Sequence, residues 1–268
     1  MIYGMYLSTM GAMVQTQRHA TISNNLANTN TTGFKPDWSI FTEVPVENEF
    51  HPERQFLWDK ILMKSGGGVW NDTTITNLKP GPMQFTGNVF DVALHDEPNS
   101  NTSSFFMVRP ENAQEGDVYF TRDGHFIPDD NGVLRTTGGD LVLGPDGDPI
   151  TVPLEQYANV TINKEGMILN VTPEGTEELG QLGVFRTPEF YNMVKVGDNR
   201  FYSDEATMEN WQNGVQGGYL EMSATSAITE MTNMIEASRI YETNMKFLTI
   251  QDDTLGDTIR RVGTWTGN

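Results

Sequence analysis

The side chains able to do chemistry are scattered along this chain rather than grouped. Histidines stand at 19, 51, 95 and 125, with no H-E-x-x-H run and no paired spacing that would hold zinc. They read as surface or half-buried histidines. Asp129-Asp130-Asn131-Gly132 and Asp146-Gly147-Asp148 gather carboxylates as a calcium site would. The twelve-residue ligand loop is missing, however, and Asp or Asn before Gly is ordinary turn chemistry. There is no G-x-S-x-G, no P-loop and no dinucleotide fingerprint. Pairs of carboxylates are frequent, but among 36 acidic residues a pair carries no information about glycosidase chemistry. With no cysteine, disulfides and thiolate catalysis are both ruled out. The expectation is a protein that is not an enzyme and uses neither metal nor cofactor.

Charge narrows the partners. The net charge is −19, which argues against nucleic acid, because phosphate binding needs basic surface. Residues 1–36 carry only Arg18 and Lys35 and no acid, and residues 216–268 carry −3, so the middle holds −18. Ends almost free of charge beside an acidic middle suggest that the ends meet protein and the middle meets water. No apolar run is long enough to span a membrane. Met1–Val14 lacks the basic start of a secretory signal, so any export is expected to proceed without a cleavable one.

The elements that must position these residues follow from periodicity. Near the C-terminus one heptad row runs Ala224, Met231, Ser238, Met245 and a second runs Ala227, Met234, Tyr241, Leu248, Leu255, Val262. Ile228, Ile235, Ile240 and Phe247 widen the apolar face. No Pro or Gly interrupts Glu221–Leu255, so this pattern predicts a long helix packed on another helix. At the N-terminus Tyr6, Met13, Ala20 and Ala27 recur every seven residues, beside Tyr3 and Met10, with Ile22 and Leu26 as a further edge. Asn28–Gly33 should stop that helix, since its polar side chains compete for backbone bonds and Gly accepts a left-handed conformation. Eight of the 14 methionines fall in these two segments. They serve either a plain core or an interface that repacks between neighbours, just as two ordinary core helices would explain the heptads.

The middle is different. Trp38, Phe41, Val44 and Val46 form an extended stretch, His51–Lys64 a short helix or loop, and Gly66–Gly68 a turn. From Met83 to Asp204, short apolar stretches alternate with Asp123-Gly124, Asn131-Gly132, Gly138-Gly139 and Asp146-Gly147. Such dipeptides are hairpin signals, and with no amphipathic helix between them they imply an antiparallel all-β domain. The expected division is a helix and loop over 1–35, an extended linker over 36–82, the β domain over 83–215 and a helix over 216–268. The fold class is thus mainly β with terminal α, the two terminal helices pairing as a coiled-coil-like unit.

Several ordered motifs carry a resemblance. I-S-N-N-L-A-N-T-N-T-T-G-F-K at 22–35 and E-M-T-N-M-I-E-A-S-R-I-Y-E-T-N-M at 230–245 resemble the terminal signatures of bacterial flagellar rod and hook-basal body proteins. F-T-G-N-V-F-D-V-A-L at 85–94, Y-F-T-R-D-G-H-F at 119–126, G-D-N-R-F at 197–201 and G-Y-L-E at 218–221 are similar to the family's β domain and its flanks. Length and residues 41–47 look most like the proximal-rod branch, with the distal-rod branch close behind. One departure is Met222-Ser-Ala-Thr-Ser226, where members often have Ser-Asn-Val after the glutamate.

The resemblance implies an axial component of the flagellar basal body, exported by the type III apparatus and polymerised into a helical rod that transmits torque and lines the export channel. Its implied partners are other rod and hook-basal body proteins, the export apparatus and the surrounding rings. The implied assembly residues are Tyr6, Met10, Met13, Ala20, Leu26, Ala27, Met231, Met234, Ile235, Tyr241, Met245, Leu248 and Leu255. The implied signature loop is Asn24, Asn25, Asn28, Thr32, Gly33 and Phe34. Two other classes, a carbohydrate-active enzyme and a fibre or adhesin protein, would show turnover at opposed carboxylates or a trimer in solution.

Overall fold

The N-terminal periodicity becomes helix α1, Ile2–Ala27, and the C-terminal periodicity becomes helix α2, Ala227–Trp265. The computed structural model describes residues 2–44, 67–96, 102–111, 113, 117–153, 157, 159–173, 175–187, 193–203, 209–210 and 214–265. Val46 and the segment 51–64 fall outside the described residues. Asn28–Gly33 ends α1 as expected, with Gly33 at φ 63°. The second helix starts later than the Gly- and Pro-free span alone allows. Glu221 closes a strand instead, and α2 begins where Ser226 accepts the Glu230 N–H at 2.9 Å. Serine in that position is a favourable N-cap, and Glu230 in the first turn complements the helix dipole.

The chain forms two units. One contains Met1–Ala27, Asp37–Ile75 and Ser226–Asn268; the other contains Asn28–Pro36 and Thr76–Thr225. In the first unit α1 and α2 pair antiparallel, with Gly4 facing Gln251 and Gly11 facing Asn244. A two-stranded sheet of β1 (Asp37–Glu43) and β2 (Val69–Thr76) completes it. Asn25 fastens the end of α1 to this sheet: its amide Nδ2 donates to Asp37 O at 2.9 Å and its Oδ1 accepts the Asp37 N–H at 3.0 Å.

The second unit is antiparallel β throughout, in sheets built around β5 (Ser103–Arg109). β5 lies between β6 (Tyr119–Thr121) and β9 (Leu141–Val142), and also pairs with β13 (Val184–Thr187). The remaining strands of that sheet are β7 (Phe126–Pro128), β8 (Leu134–Thr136), β14 (Met193–Gly197), β15 (Arg200–Ser203) and β16 (Glu209–Asn210). A three-stranded sheet holds β10 (Val160–Ile162), β11 (Met167–Thr172) and β12 (Gly175–Gln181). Two small ladders pair β17 (Val215–Gly217) with β4 (Val92–Leu94), and β18 (Tyr219–Glu221) with β3 (Met83–Phe85). So Val215–Gly217 and Tyr219–Glu221 are strands, where a helical C-terminal segment from 216 was expected.

Strand β5 reads S-S-F-F-M-V-R without alternation because both its faces are covered. Phe106 points into one apolar cluster with Leu94, Phe126, Ile168 and Val184, while Phe105 and Met107 enter another with Phe120 and Phe201. The Phe106 and Phe126 rings meet edge-on at 5.1 Å. Three of the four expected turns have the predicted left-handed glycine, at Gly132, Gly139 and Gly147. Gly124 is the exception. Its backbone is ordinary, and the glycine is needed because a Cβ there would fall 1.7 Å from Val92 O. β12 escaped the sequence reading because Glu177 and Glu178 make it polar; such charges belong on the exposed edge that β12 forms.

A Phe106→Ala chain should lose about 3–5 kcal/mol of unfolding free energy, the usual cost of a fully buried aromatic cavity. Chemical denaturation of the two proteins provides the comparison; a loss within experimental error would mean that the β5 core does not carry the second unit.

Candidate functional site

The two terminal signatures meet a third motif at one buried carboxylate. Lys35 follows the N-terminal loop, Glu221 ends β18, and Arg122 sits just after β6. Their side chains are 0%, 1% and 0% exposed. Glu221 Oε1 accepts from Lys35 Nζ at 2.6 Å and from the Gly81 N–H at 2.7 Å. Its Oε2 accepts from Arg122 Nε at 2.5 Å. Arg122 also donates to Leu94 O at 2.8 Å and to Ser104 O, and its Nη1 forms an ion pair with Asp96 Oδ2 at 2.9 Å. Asp96 Oδ1 accepts the Ser104 N–H at 3.2 Å. The group therefore contains two cations and two anions, and nearly every polar atom has a partner.

Burial penalises each of these ions, but their neighbours differ. For Glu221, burial alone would raise the pKa; Arg122 and Lys35 outweigh it and hold the carboxyl below its ordinary value. Lys35 faces one carboxylate and also the competing Arg122 cation. Burial dominates, helped by Arg122, and its pKa falls to about 8. Arg122 is buried too, yet Glu221 and Asp96 keep it firmly charged. At neutral pH all three carry their charges.

The loop residues named from sequence complete this anchor. Gly33 N–H donates to Glu221 O at 2.8 Å, and Ala224 N–H donates to Phe34 O at 3.1 Å, so the segments 28–36 and 219–224 are laced together. A Cβ on Gly33 would come within 2.5 Å of the Arg122 carbonyl, so this position needs glycine for space as well as for its positive φ. Thr32 Oγ1 donates to Asp123 at 2.6 Å, and Thr32 O accepts from Asn199 at 2.8 Å. Phe34 is buried under Lys195, whose Nζ lies 4.2 Å from the ring centroid and donates to Lys35 O at 3.0 Å. Asn28 accepts from Thr31 within the turn, while Asn24 is exposed on α1. Lys35, Arg122 and Glu221 appear in the sequence only as motif letters, with no role attached. The available signal was Lys35 itself, one of two charges in the first 36 residues and set between Phe34 and Pro36.

In the helix unit the heptad rows are divided. Met234, Leu248 and Leu255 are half-buried on the side of α2 that meets α1, together with Ala237, which is fully buried. Tyr241 is at the margin, 37% exposed. The row of Met231 and Met245 lies outside this seam, 52% and 40% exposed, and Ile235 is 56% exposed. On α1, Tyr6 and Met13 are 50% and 57% exposed, and Ala20 and Ala27 are exposed as well. These four lie two residues on from the Gly4 and Gly11 face, roughly 200° around the helix, and so they point away from α2. Met10 and Leu26 are half-buried, Met10 beside Gly68.

The residues considered for catalysis or metal binding are dispersed. His19 Nε2 meets Ser238 Oγ at 2.9 Å, whereas His125 Nδ1 meets Asp91 at 2.7 Å in the other unit. His95 is exposed, and His51 lies outside the described residues. Asp129 spends its carboxylate on the N–H groups of Asn131 and Val133 and on Arg135, which is an ordinary turn. Among the described residues no group of three or more His, Asp or Glu side chains could hold a metal ion, and no helix is long and apolar enough to cross a membrane.

A β unit that fastens both ends of its sequence to one buried carboxylate, together with a pair of helices showing apolar rows on their outer surface, defines a structural module. The chain belongs to the flagellar basal-body rod protein family. The profile described as "Flagella basal body rod protein" matches residues 5–35. That of the "Flagellar hook protein FlgE/F/G D1 domain" matches 101–170, and that of the "Flagellar basal body rod FlgEFG protein C-terminal" matches 216–261. The chain is 30% identical over 244 residues to the flagellar basal-body rod protein FlgF of Caulobacter vibrioides, covering 90% of each. It is 30% identical over 270 residues to FlgG of Borreliella burgdorferi, covering 96% of this chain and 97% of that protein. Against FlgF of Escherichia coli it is 28% identical over 263 residues, covering 93% and 94%.

Replacing Glu221 with Gln should cost about 3–5 kcal/mol at neutral pH, because Lys35 and Arg122 stay buried beside one remaining anion. The folded pKa of Glu221 lies below the ordinary 4.5, so the unfolded chain takes up the proton first as pH falls. The carboxylate's contribution is therefore full above about 4.5 and lost on the acid side of it. Denaturation midpoints measured from pH 6 down to 3 should fall more steeply for the native sequence than for Glu221→Gln; parallel curves would exclude Glu221 as the acid-sensitive anchor.

Proposed function

We infer that this chain works as a structural component of the flagellar basal-body rod, adding to the polymer through its paired terminal helices. The observation that carries this reading is the outward placement of apolar side chains on both helices of a rod-family protein. Ile228 is 79% exposed, and Met231, Ile235, Tyr6 and Met13 are each at least half exposed. A solitary helix pair gains nothing from such side chains, whereas burying a Met, Ile or Leu in a subunit contact contributes about 1.5–3 kcal/mol. The assembly role of Tyr6, Met10, Met13, Ala20, Leu26, Ala27, Met231, Met234, Ile235, Tyr241, Met245, Leu248 and Leu255 is part of this proposal. The exposed members would meet neighbouring subunits, and the half-buried ones would hold the pair together.

The finer reading follows from the same assignment. Torque would pass through many parallel helix contacts rather than through a catalytic site, and the helices would line the export channel. The partners would be other rod and hook-basal body proteins, the type III export apparatus and the surrounding rings. We place it at the proximal rod on residues 41–47. Relatives named FlgF and FlgG match at equal identity, so purified basal bodies dissected into proximal and distal segments are needed to test this position.

Ile235→Asp should leave the isolated chain folded, because the site is already open to water. It should also reduce incorporation into the rod at least about tenfold, since a charge in an apolar contact costs several kcal/mol. Immunoblots of purified basal bodies and swarming assays report the outcome; normal motility with normal rod content would remove this face of α2 from the interface.

A further inference from the structure

The seam between α1 and α2 is only partly apolar: beside the half-buried row of Met234, Leu248 and Leu255 runs a second row of glycine and amide contacts. Gly4 and Gly11 stand seven residues apart on α1, and Asn244 and Gln251 stand seven residues apart on α2, in the opposite chain direction. A Cβ at Gly4 would lie 2.8 Å from Gln251 Nε2, 3.0 Å from its Oε1 and 3.1 Å from its Cδ. A Cβ at Gly11 would lie 2.9 Å from Asn244 Nδ2 and 3.2 Å from both its Cγ and its Oδ1. Each amide therefore occupies the space where a side chain on the facing glycine would begin. The same contact is built twice. Gln251 Oε1 is buried without a hydrogen-bond partner among the described residues. One heptad further along, the sizes reverse: Ala237 is fully buried, while the long side chain of Arg18 reaches Glu236 at 3.5 Å.

We infer that Gly4 and Gly11, with Gln251 and Asn244, are the residues that set the register of the helix pair. The apolar row that meets α1 discriminates weakly, because a slip of one heptad only exchanges Met234, Tyr241, Leu248 and Leu255 among themselves, all of them large side chains. A slip keeps one glycine–amide contact, Gly11 with Gln251 or Gly4 with Asn244, but loses the other. In one direction the long side chain of Arg18 meets Asn244, where glycine stood before, at a close crossing. In the other, Gly11 meets Ala237, and the space that fits an amide is left unfilled. Polar groups at seam positions are a known means of fixing register in coiled coils. Glycine is also among the poorest residues for a helix interior, so two of them at this spacing are better explained by the close approach than by helix formation. With the register set, the exposed row of Met231, Ile235 and Met245 is held at one height relative to Tyr6 and Met13. The inference concerns folding within one chain and stands whether or not the rod assignment holds.

The chain has no cysteine, so register can be read by crosslinking. His19 and Ser238 touch at 2.9 Å, and Met231 and Met245 lie one heptad to either side of Ser238. Three full-length double variants are made: His19→Cys with Ser238→Cys, with Met231→Cys or with Met245→Cys. Each is treated, as a dilute monomer, with a short-reach bis-maleimide. Because one heptad moves the target by about 10.5 Å, the 19–238 pair should crosslink at least about ten times faster than the other two. Adding Gly4→Ala and Gly11→Ala should remove most of that preference, although alanine strengthens each helix on its own. Adding Asn244→Ala and Gln251→Ala to that background makes room for the new methyl groups and should restore the preference. An unchanged preference in the double alanine background would overturn the inference, as would no recovery when the amides are trimmed.

Discussion

Almost everything in the β unit depends on keeping one carboxylate out of water. Glu221 is buried with two cations and a backbone N–H around it, and none of these groups is affordable alone in an apolar interior. Desolvating an ion costs several kcal/mol, so a buried pair adds little net stability, while removing one member costs a good deal. The cluster therefore specifies more than it stabilises. Lys35 and Glu221 are 186 positions apart, and Arg122 and Glu221 are 99 apart. The unit reaches its lowest energy only when the loop after α1, the turn after β6 and the strand before α2 are all in place. The lacing of Gly33 to Glu221 and of Phe34 to Ala224 then follows from the position of the carboxylate.

The helix unit solves a different problem. A two-helix pair usually turns its apolar residues inward, yet here the inward positions include Gly4, Gly11, Asn244 and Gln251, and much of the apolar material faces out. Each interior glycine costs about 1 kcal/mol relative to alanine. Each outward Ile or Met forgoes burial worth about 1.5–3 kcal/mol. Both choices weaken the isolated pair, and both make sense if its outer surface is destined for contact. The proposed assembly into the rod would supply that contact.

The heptads also show where a sequence pattern stops being informative. Spacing of seven predicted the helices and their mutual packing, and α1 and α2 do pack together. It did not reveal that the row of Tyr6 and Met13 turns away from α2, or that Met231 and Met245 flank the seam rather than fill it. Periodicity tells which residues share a face; which face is inside depends on what lies across from it. The late start of α2 has a similar cause. Glu221–Thr225 is compatible with helix locally, but Glu221 is claimed by a strand and an ion cluster whose other members are distant in sequence.

By itself the sequence determined the mainly β class, the helical ends, the stop at Asn28–Gly33 and most of the hairpins, because these rest on local backbone preferences and short-range spacing. Its ordered motifs also carried the family likeness. Only the tertiary structure decided that Lys35, Arg122 and Glu221 share one site, that Gly124 is required by the Val92 carbonyl rather than by its own φ, and that glycine and amide side chains make up one row of the helix seam. Each of these is set by the approach of groups far apart along the chain, where burial and close contact outweigh any local preference.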